Sequence, residues 1–154
     1  MRVWSLIIKM EPVTASRPKL GRGRTYYAPK YSKFKAAAPH FVGEALNRAG
    51  IGRPMSGYLS VTLRMIATRP KKSVLERPLP DVDNYAKAVL DACNGIVWHD
   101  DEQIASLAIV KEWAPIGESG RIELHLTKHH LEESNIIPEW LFRAAEARPV
   151  PSLQ

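Results

Sequence analysis

The stretch from Gly57 to Thr68 constrains the fold more than any other. Leu59, Val61, Leu63 and Met65 alternate there with Ser60, Thr62 and Arg64. A period of two sends successive side chains to opposite faces, so this is a strand with one apolar face to bury. Such a strand needs sheet partners and a covering layer, and its neighbours supply both. Residues 2–9 alternate through Trp4, Leu6 and Ile8 and read as a strand. Residues 103–113 and Arg121–Thr127 are two further strand-like runs, the second alternating through Ile122, Leu124 and Leu126. Pro115–Gly120 reads as the turn between them, which makes the pair a hairpin.

Two segments carry helical spacing. Residues 30–49 place Phe34, Phe41, Val42, Ala45, Leu46 and Ala49 near one stripe, and Gly50 offers a stop. Pro39 has no backbone donor, so it is expected to divide this helix or kink it. A shorter helix is predicted over residues 83–93, with Tyr85, Val89 and Ala92 or Cys93 turned inward and Asn94-Gly95 ending it. Pro12–Pro29 reads as a loop, mobile without a ligand, and Arg69–Pro80 as a basic connection containing prolines. The order strand, helix, strand, helix, hairpin predicts an α+β (mixed α/β) domain with a small mixed, partly antiparallel sheet and two to three helices. That domain is expected over residues 1–127. Residues 128–154 read as a C-terminal extension with a short helix at Pro138–Ala147.

Composition narrows the functional classes. No apolar run in the 154 residues approaches the roughly 20 that span a bilayer. The N-terminus is basic and then apolar, but its apolar run stops at Lys9-Met10-Glu11-Pro12 with no small-residue cleavage site, so an opening strand is preferred to a signal peptide. Cys93 is the lone cysteine, which excludes an internal disulfide and a cysteine zinc site and suits a reducing, cytoplasmic compartment. The formal net charge is +6, and its distribution matters more than its size. Arg17, Lys19, Arg22, Arg24, Lys30, Lys33 and Lys35 fall in an interval without an acidic residue, interleaved with Tyr26, Tyr27, Tyr31 and Phe34. Arg69, Lys71, Lys72 and Arg77 form a second block. Segregated cations of this kind suit a phosphate backbone, so all eleven are candidate DNA contacts.

Carboxylates concentrate elsewhere. Asp81-Val82-Asp83-Asn84 precedes Lys87 and Asp91, and Trp98-His99-Asp100-Asp101 follows. In extended chain a spacing of two points Asp81 and Asp83 the same way. Lys87 lies four residues after Asp83, so its ammonium is expected to return to that end of the helix. Phosphodiester hydrolysis needs charge neutralised at phosphorus and an activated water; a divalent cation held by hard oxygens supplies both. Either acidic element alone would serve as a helix cap or a solvated turn. Together, beside the basic blocks, they point to a metal-dependent nuclease. His99 is read as a turn residue, His129-His130 as surface, and Cys93 and Trp98 as core.

The run Asp-x-Asp-Asn-x-x-Lys-x-x-x-Asp, here Asp81, Asp83, Asn84, Lys87 and Asp91, continues into Gly95-Ile96-Val97-Trp98-His99-Asp100-Asp101 and the strand ending Val110-Lys111. It resembles the RusA family of Holliday-junction resolvases. Upstream, Gly23-Arg24-Thr25-Tyr26-Tyr27-Ala28-Pro29-Lys30-Tyr31 is similar to the loop-to-helix entry of that family, and the likeness covers roughly residues 2–127. The resemblance implies a homodimer that nicks branched DNA with Mg²⁺, Mn²⁺ being a second option. It implies Asp81, Asp83 and Asp101 as metal-binding carboxylates, Asp100 as a fourth candidate and Lys87 as a supporting catalytic cation. Two other functions fit the same residues: a junction-binding module of the same fold without catalysis, and a metal-dependent phosphohydrolase on small substrates.

Overall fold

The computed structural model describes residues 2–129. The expected helix at Pro138–Ala147 and the side chain of His130 lie outside them.

Six strands and two helices follow in the order β1 (Trp4–Ile8), β2 (Lys19–Gly21), β3 (Arg24–Tyr26), α1 (Pro29–Arg48), β4 (Leu59–Ala67), α2 (Val82–Cys93), β5 (Ile104–Trp113) and β6 (Arg121–Lys128), with a 3-10 turn at Asp101–Gln103 before β5. Four strands make one mixed sheet in the order β1-β6-β4-β5, and β2 with β3 forms a separate two-stranded ribbon. The α+β class expected from the sequence is the class observed.

The alternation in β4 acts as predicted. Leu59, Val61, Leu63 and Met65 are buried, and they join Leu6 and Ile8 of β1 and Ile122, Leu124 and Leu126 of β6 in one core. Both helices contribute to that core, α1 through Tyr31, Phe34, Ala38, Val42, Ala45 and Leu46, and α2 through Tyr85, Ala86, Ala88, Val89 and Cys93. Helix α1 packs on the β1 side and α2 on the β5 side. Trp98 is wholly enclosed, and its indole Nε1 donates to Asn94 Oδ1 at 2.7 Å. A buried indole needs such a partner, because an orphaned donor would keep its full desolvation cost.

Three expectations change. Strands β5 and β6 are not a hairpin: β4 lies between them, pairing parallel with β5 and antiparallel with β6. The turn chemistry of Pro115–Gly120 does not distinguish a tight hairpin from a step across one intervening strand. Pro39 does not divide its helix, and α1 runs unbroken past it. The proline sits on the exposed face, where water can take the carbonyl it leaves unbonded. The segment Pro12–Pro29 is not a plain loop. Its second half is the β2–β3 ribbon, closed by Arg22 and Gly23, both at positive φ (49° and 73°). A residue pair with positive φ is the backbone of a tight hairpin turn, and arginine is not a residue that announces one.

The open face of the sheet is held by charge. Arg64 of β4 reaches both ways, pairing with Glu112 of β5 and with Glu123 of β6 at 2.7 Å, and Arg121 Nε adds a second 2.7 Å contact to Glu123. Replacing Trp98 with Phe removes the donor to Asn94 and part of the packed volume. We expect the folding free energy to fall by about 1–3 kcal/mol, read as a lower urea midpoint with an unchanged slope.

Candidate nuclease site

Helix α2 positions the first acidic motif. Asp81 is its N-cap residue, yet its carboxylate makes no capping hydrogen bond, and Asp83 lies in the first turn. Both are exposed. Asp81, the residue most open to a structural explanation as a cap, is not used as one. Around this end of α2 the chain is tied down on every side. Tyr85 Oη donates to the Leu79 carbonyl at 2.7 Å, and Trp113 Nε1 donates to the Leu75 carbonyl at 2.8 Å. Lys111 of β5 donates to the carbonyl of Pro80, next to Asp81. This cation is one that the sequence motif does not single out; only its place at the far end of β5 shows that it meets the start of α2.

The second acidic motif behaves differently. Asp100 caps the 3-10 turn, its side chain accepting from Glu102 N at 3.0 Å, and Gln103 completes a capping box. Gln103 does more than cap. Its Oε1 accepts from the backbone of His99 (2.8 Å) and Asp100 (3.2 Å), while its Nε2 donates to the carbonyls of Met55 (3.0 Å) and Gly57 (2.9 Å). The turn that carries the aspartates is thus bolted to the chain entering β4. The sequence signal for this was the Asp-x-x-Gln spacing of a capping box. Asp101, half-buried, keeps its carboxylate out of the capping network. His99 is exposed, in agreement with a turn residue.

The two motifs do not meet within one chain. Asp81 and Asp83 sit where α2 begins, beside the C-terminal ends of β4 and β5. Asp100 and Asp101 sit where β5 begins, after α2 has run back along the sheet. Twelve helical residues separate those ends by about 18 Å, at 1.5 Å per residue. Among the described residues no three carboxylate, histidine or cysteine side chains are grouped to hold one ion. The oxygens are of the type a hard divalent cation takes, but a single chain does not bring them to one point. The expected convergence of Asp81, Asp83 and Asp101 is therefore absent from the isolated subunit.

Lys87 also differs from expectation. It reaches forward to Asp91 Oδ2 at 3.6 Å and not back to Asp83. The i,i+4 partner on its C-terminal side competes with the one on its N-terminal side, and Asp91 is held in place by Tyr31, whose hydroxyl donates to the same oxygen at 3.4 Å. Burial, followed by the charge of Asp91 and the hydrogen bond to it, pushes the Tyr31 phenol up to about 12.

The basic blocks fall on defined surfaces. Arg17, Lys19, Arg22 and Arg24 are exposed on and beside the β2–β3 ribbon, and Lys30, Lys33 and Lys35 on the first turns of α1. Lys35 Nζ lies 4.4 Å from the Tyr27 ring centroid and 5.5 Å from that of Tyr31. The ribbon is rooted to the acidic helix: Ala15 N donates to the Asn84 carbonyl at 2.9 Å, and Ala28 N donates to Ser16 Oγ at 3.1 Å. Gly21 is required by its neighbour, since a Cβ there would stand 2.9 Å from the Tyr26 ring. Leu20, on the ribbon's other face, is 85% exposed. In the second block Lys71, Lys72 and Arg77 are exposed and Arg69 is half-buried, all on the connection leading to Asp81. The second block thus leads directly into Asp81, and the segment before the ribbon is tied to the start of α2 through Ala15 and Asn84, whereas the first turn of α1 meets the second half of α2 at Asp91.

Residues 9–127 match the family model described as Endodeoxyribonuclease RusA. The chain belongs to the RusA endodeoxyribonuclease family. It is also 29% identical to the uncharacterized protein YqaN of Bacillus subtilis (strain 168), over 74% of this chain and 88% of that protein. The matched interval contains both acidic motifs, both basic blocks, β4, β5 and all of β6 but its last residue; β1 lies just before it. No described helix of this family member is long and apolar enough to cross a membrane.

The Tyr31–Asp91 contact has a consequence in alkali. The raised phenol disfavours the phenolate in the folded state, so its contribution to stability is whole below pH 10 and is lost as pH rises through about 12. Tyr31→Phe is expected to flatten that part of the stability profile and to delete one late phenolate transition from the ultraviolet titration. An unchanged titration would contradict it.

Proposed function

We propose that this RusA-family protein is a structure-selective endodeoxyribonuclease that cuts Holliday junctions, with Mg²⁺ as its cofactor. The observation that carries the reading is the pair of carboxylates at the start of α2, Asp81 and Asp83, unpartnered among the described residues, with the Arg69–Arg77 block leading into them and Lys111 bonded to the neighbouring Pro80 carbonyl. Several other carboxylates are engaged, Glu112 and Glu123 with Arg64, Asp91 with Lys87 and Tyr31, and Glu11 with the backbone and hydroxyl of Thr68, while Asp101 at the other acidic motif is, like Asp81 and Asp83, without such a partner among the described residues. Exposed carboxylates set among uncompensated cations suit a site where phosphate and a counter-cation arrive together.

The separation of the two acidic ends supports a homodimer as the acting species. Strand β5 is an edge of the sheet, ten residues long, with no fully buried side chain. An antiparallel pairing of two β5 edges about a two-fold axis would set the Asp100–Asp101 end of one chain beside the Asp81–Asp83 end of the other. Asp81, Asp83 and Asp101, with Asp100 adjoining, would then hold the cation between chains. When bound, it would neutralise the charge on the scissile phosphate and acidify a water. The protein's own part is to present the strand: ribbon and α1 cations on one arm, the 69–77 connection on the other, Lys111 and Lys87 next to the phosphate. Two such sites related by two-fold symmetry match the two symmetric cuts a four-way junction needs.

The binding-only alternative draws on the same separation, since one chain alone has no assembled ion site. A single assay decides. With Mg²⁺ the purified chain is expected to cut a synthetic four-way junction, and Asp83→Asn to bind the junction while cutting at least about 100-fold more slowly, the scale on which losing one charge-stabilising group acts. Junction binding by the wild type without cutting would establish the binding module. Subunit mixing tests the shared site. Asp83→Asn and Asp101→Asn chains, each inactive, should regain single-strand nicking when mixed, because one of the two sites in the heterodimer keeps both aspartates. A site within one chain would leave the mixture dead.

A further inference from the structure

A third cationic site lies away from both basic blocks. Arg2, Arg53 and Lys128 line one cleft of about 410 Å³ with Trp4, Gly52 and Ser56, and no acidic residue is among its lining. Elsewhere the cations Arg48, Arg64, Lys87 and Arg121 each stand within 4 Å of a carboxylate. Those of the cleft have no such carboxylate among the described residues. The Arg2 guanidinium lies over the Trp4 ring, 5.2 Å from its centroid, which fixes the plane of its donors. Lys128 Nζ donates to the Ser56 carbonyl. Arg53 is exposed and makes no hydrogen bond or ion pair among the described residues. Three cations gathered without a counter-charge repel one another until an anion arrives.

Position identifies the anion. The cleft is at the C-terminal end of α1, about 20–30 Å along that 20-residue helix from the Lys30–Lys35 cations. It is also at the entry to β4, whereas the 69–77 block follows that strand's exit. Ser56 lines both this cleft and the adjoining one formed with Tyr58, His99, Asp100 and Gln103. A strand lying over the turn of Asp100 and Asp101 would therefore pass directly into the cationic cleft.

We propose that Arg2, Arg53 and Lys128 form a phosphodiester-binding subsite that holds the DNA backbone beside the Asp100–Asp101 turn, with Arg53 as the bidentate donor and Trp4 orienting Arg2. The subsite rests on the nuclease reading for its ligand and adds a grip on the backbone that neither basic block supplies.

The test is junction binding by the full chain, followed by fluorescence anisotropy between about 50 and 200 mM salt, the range over which counterion release is read. Arg53→Ala should bind roughly 3- to 10-fold more weakly, and its slope of log affinity against log salt should shrink by about 0.9 for each phosphate no longer neutralised. Arg53→Lys should recover part of the affinity. Lys9→Ala, an equal change of charge at the opposite end of β1, should leave the slope unchanged. A wild-type chain that binds the junction with the same slope as Arg53→Ala and Arg2→Ala overturns the subsite and leaves the nuclease reading intact. Binding of inorganic phosphate in the cleft, with no effect of Arg53→Ala on DNA, identifies a small-anion site and also overturns it. A folded wild-type chain that binds no DNA at all sinks the subsite and the nuclease reading together.

Discussion

Two parallel neighbours in a sheet cannot be joined by a tight turn, because the chain must return the length of the first strand before it can enter the second. In this protein β4 and β5 are those neighbours, and α2 makes the return. Everything about the acidic residues follows. The motif before the helix is fixed at one end of the sheet, and the motif after it at the other.

How the sheet tolerates its central strand is equally physical. One face of β4 is apolar and covered by both helices. On the other face Arg64 stands between Glu112 and Glu123, one on each flanking strand. A pair of carboxylates on either side of a single guanidinium fixes lateral order, since a slip of β5 or β6 by one residue would send its glutamate to the opposite face. Half-exposed ion pairs add little stability by themselves, and the value of this group lies in the register it enforces. The apolar face supplies the driving force and the charged face the alignment.

Much of this was legible from residues. The alternation of β4, the inward side of α2 and the stop at Gly95 are local patterns, and local physics reads them correctly. The acidic spacing named the family before any geometry was known. What escaped reading was relational. Whether Arg121–Lys128 pairs with β5 or with β4 depends on what fills the space between, which no turn sequence encodes. The hairpin at Arg22-Gly23 lacked the residues that usually mark one. Pro39 is harmless because of the face it occupies, and Lys87 chooses Asp91 because Tyr31 already holds it. Most consequentially, spacing in sequence suggested that Asp81, Asp83 and Asp101 converge. A helix between two motifs is a spacer as much as a link.

Gln103 shows how little of a turn's rigidity need come from its charged members. Four backbone groups surround its amide, two offering protons and two wanting them. Only a carboxamide carries an acceptor and a pair of donors on one planar group, and the shorter one would not span from the 99–100 backbone to that of Met55 and Gly57. Glutamate, its near-isostere, would face two carbonyls with no proton to give. In a run of Asp-Asp-Glu-Gln the eye goes to the acids, yet the neutral residue is the keystone. It leaves the Asp101 carboxylate with no structural duty, and a side chain released from structural duty is available for chemistry.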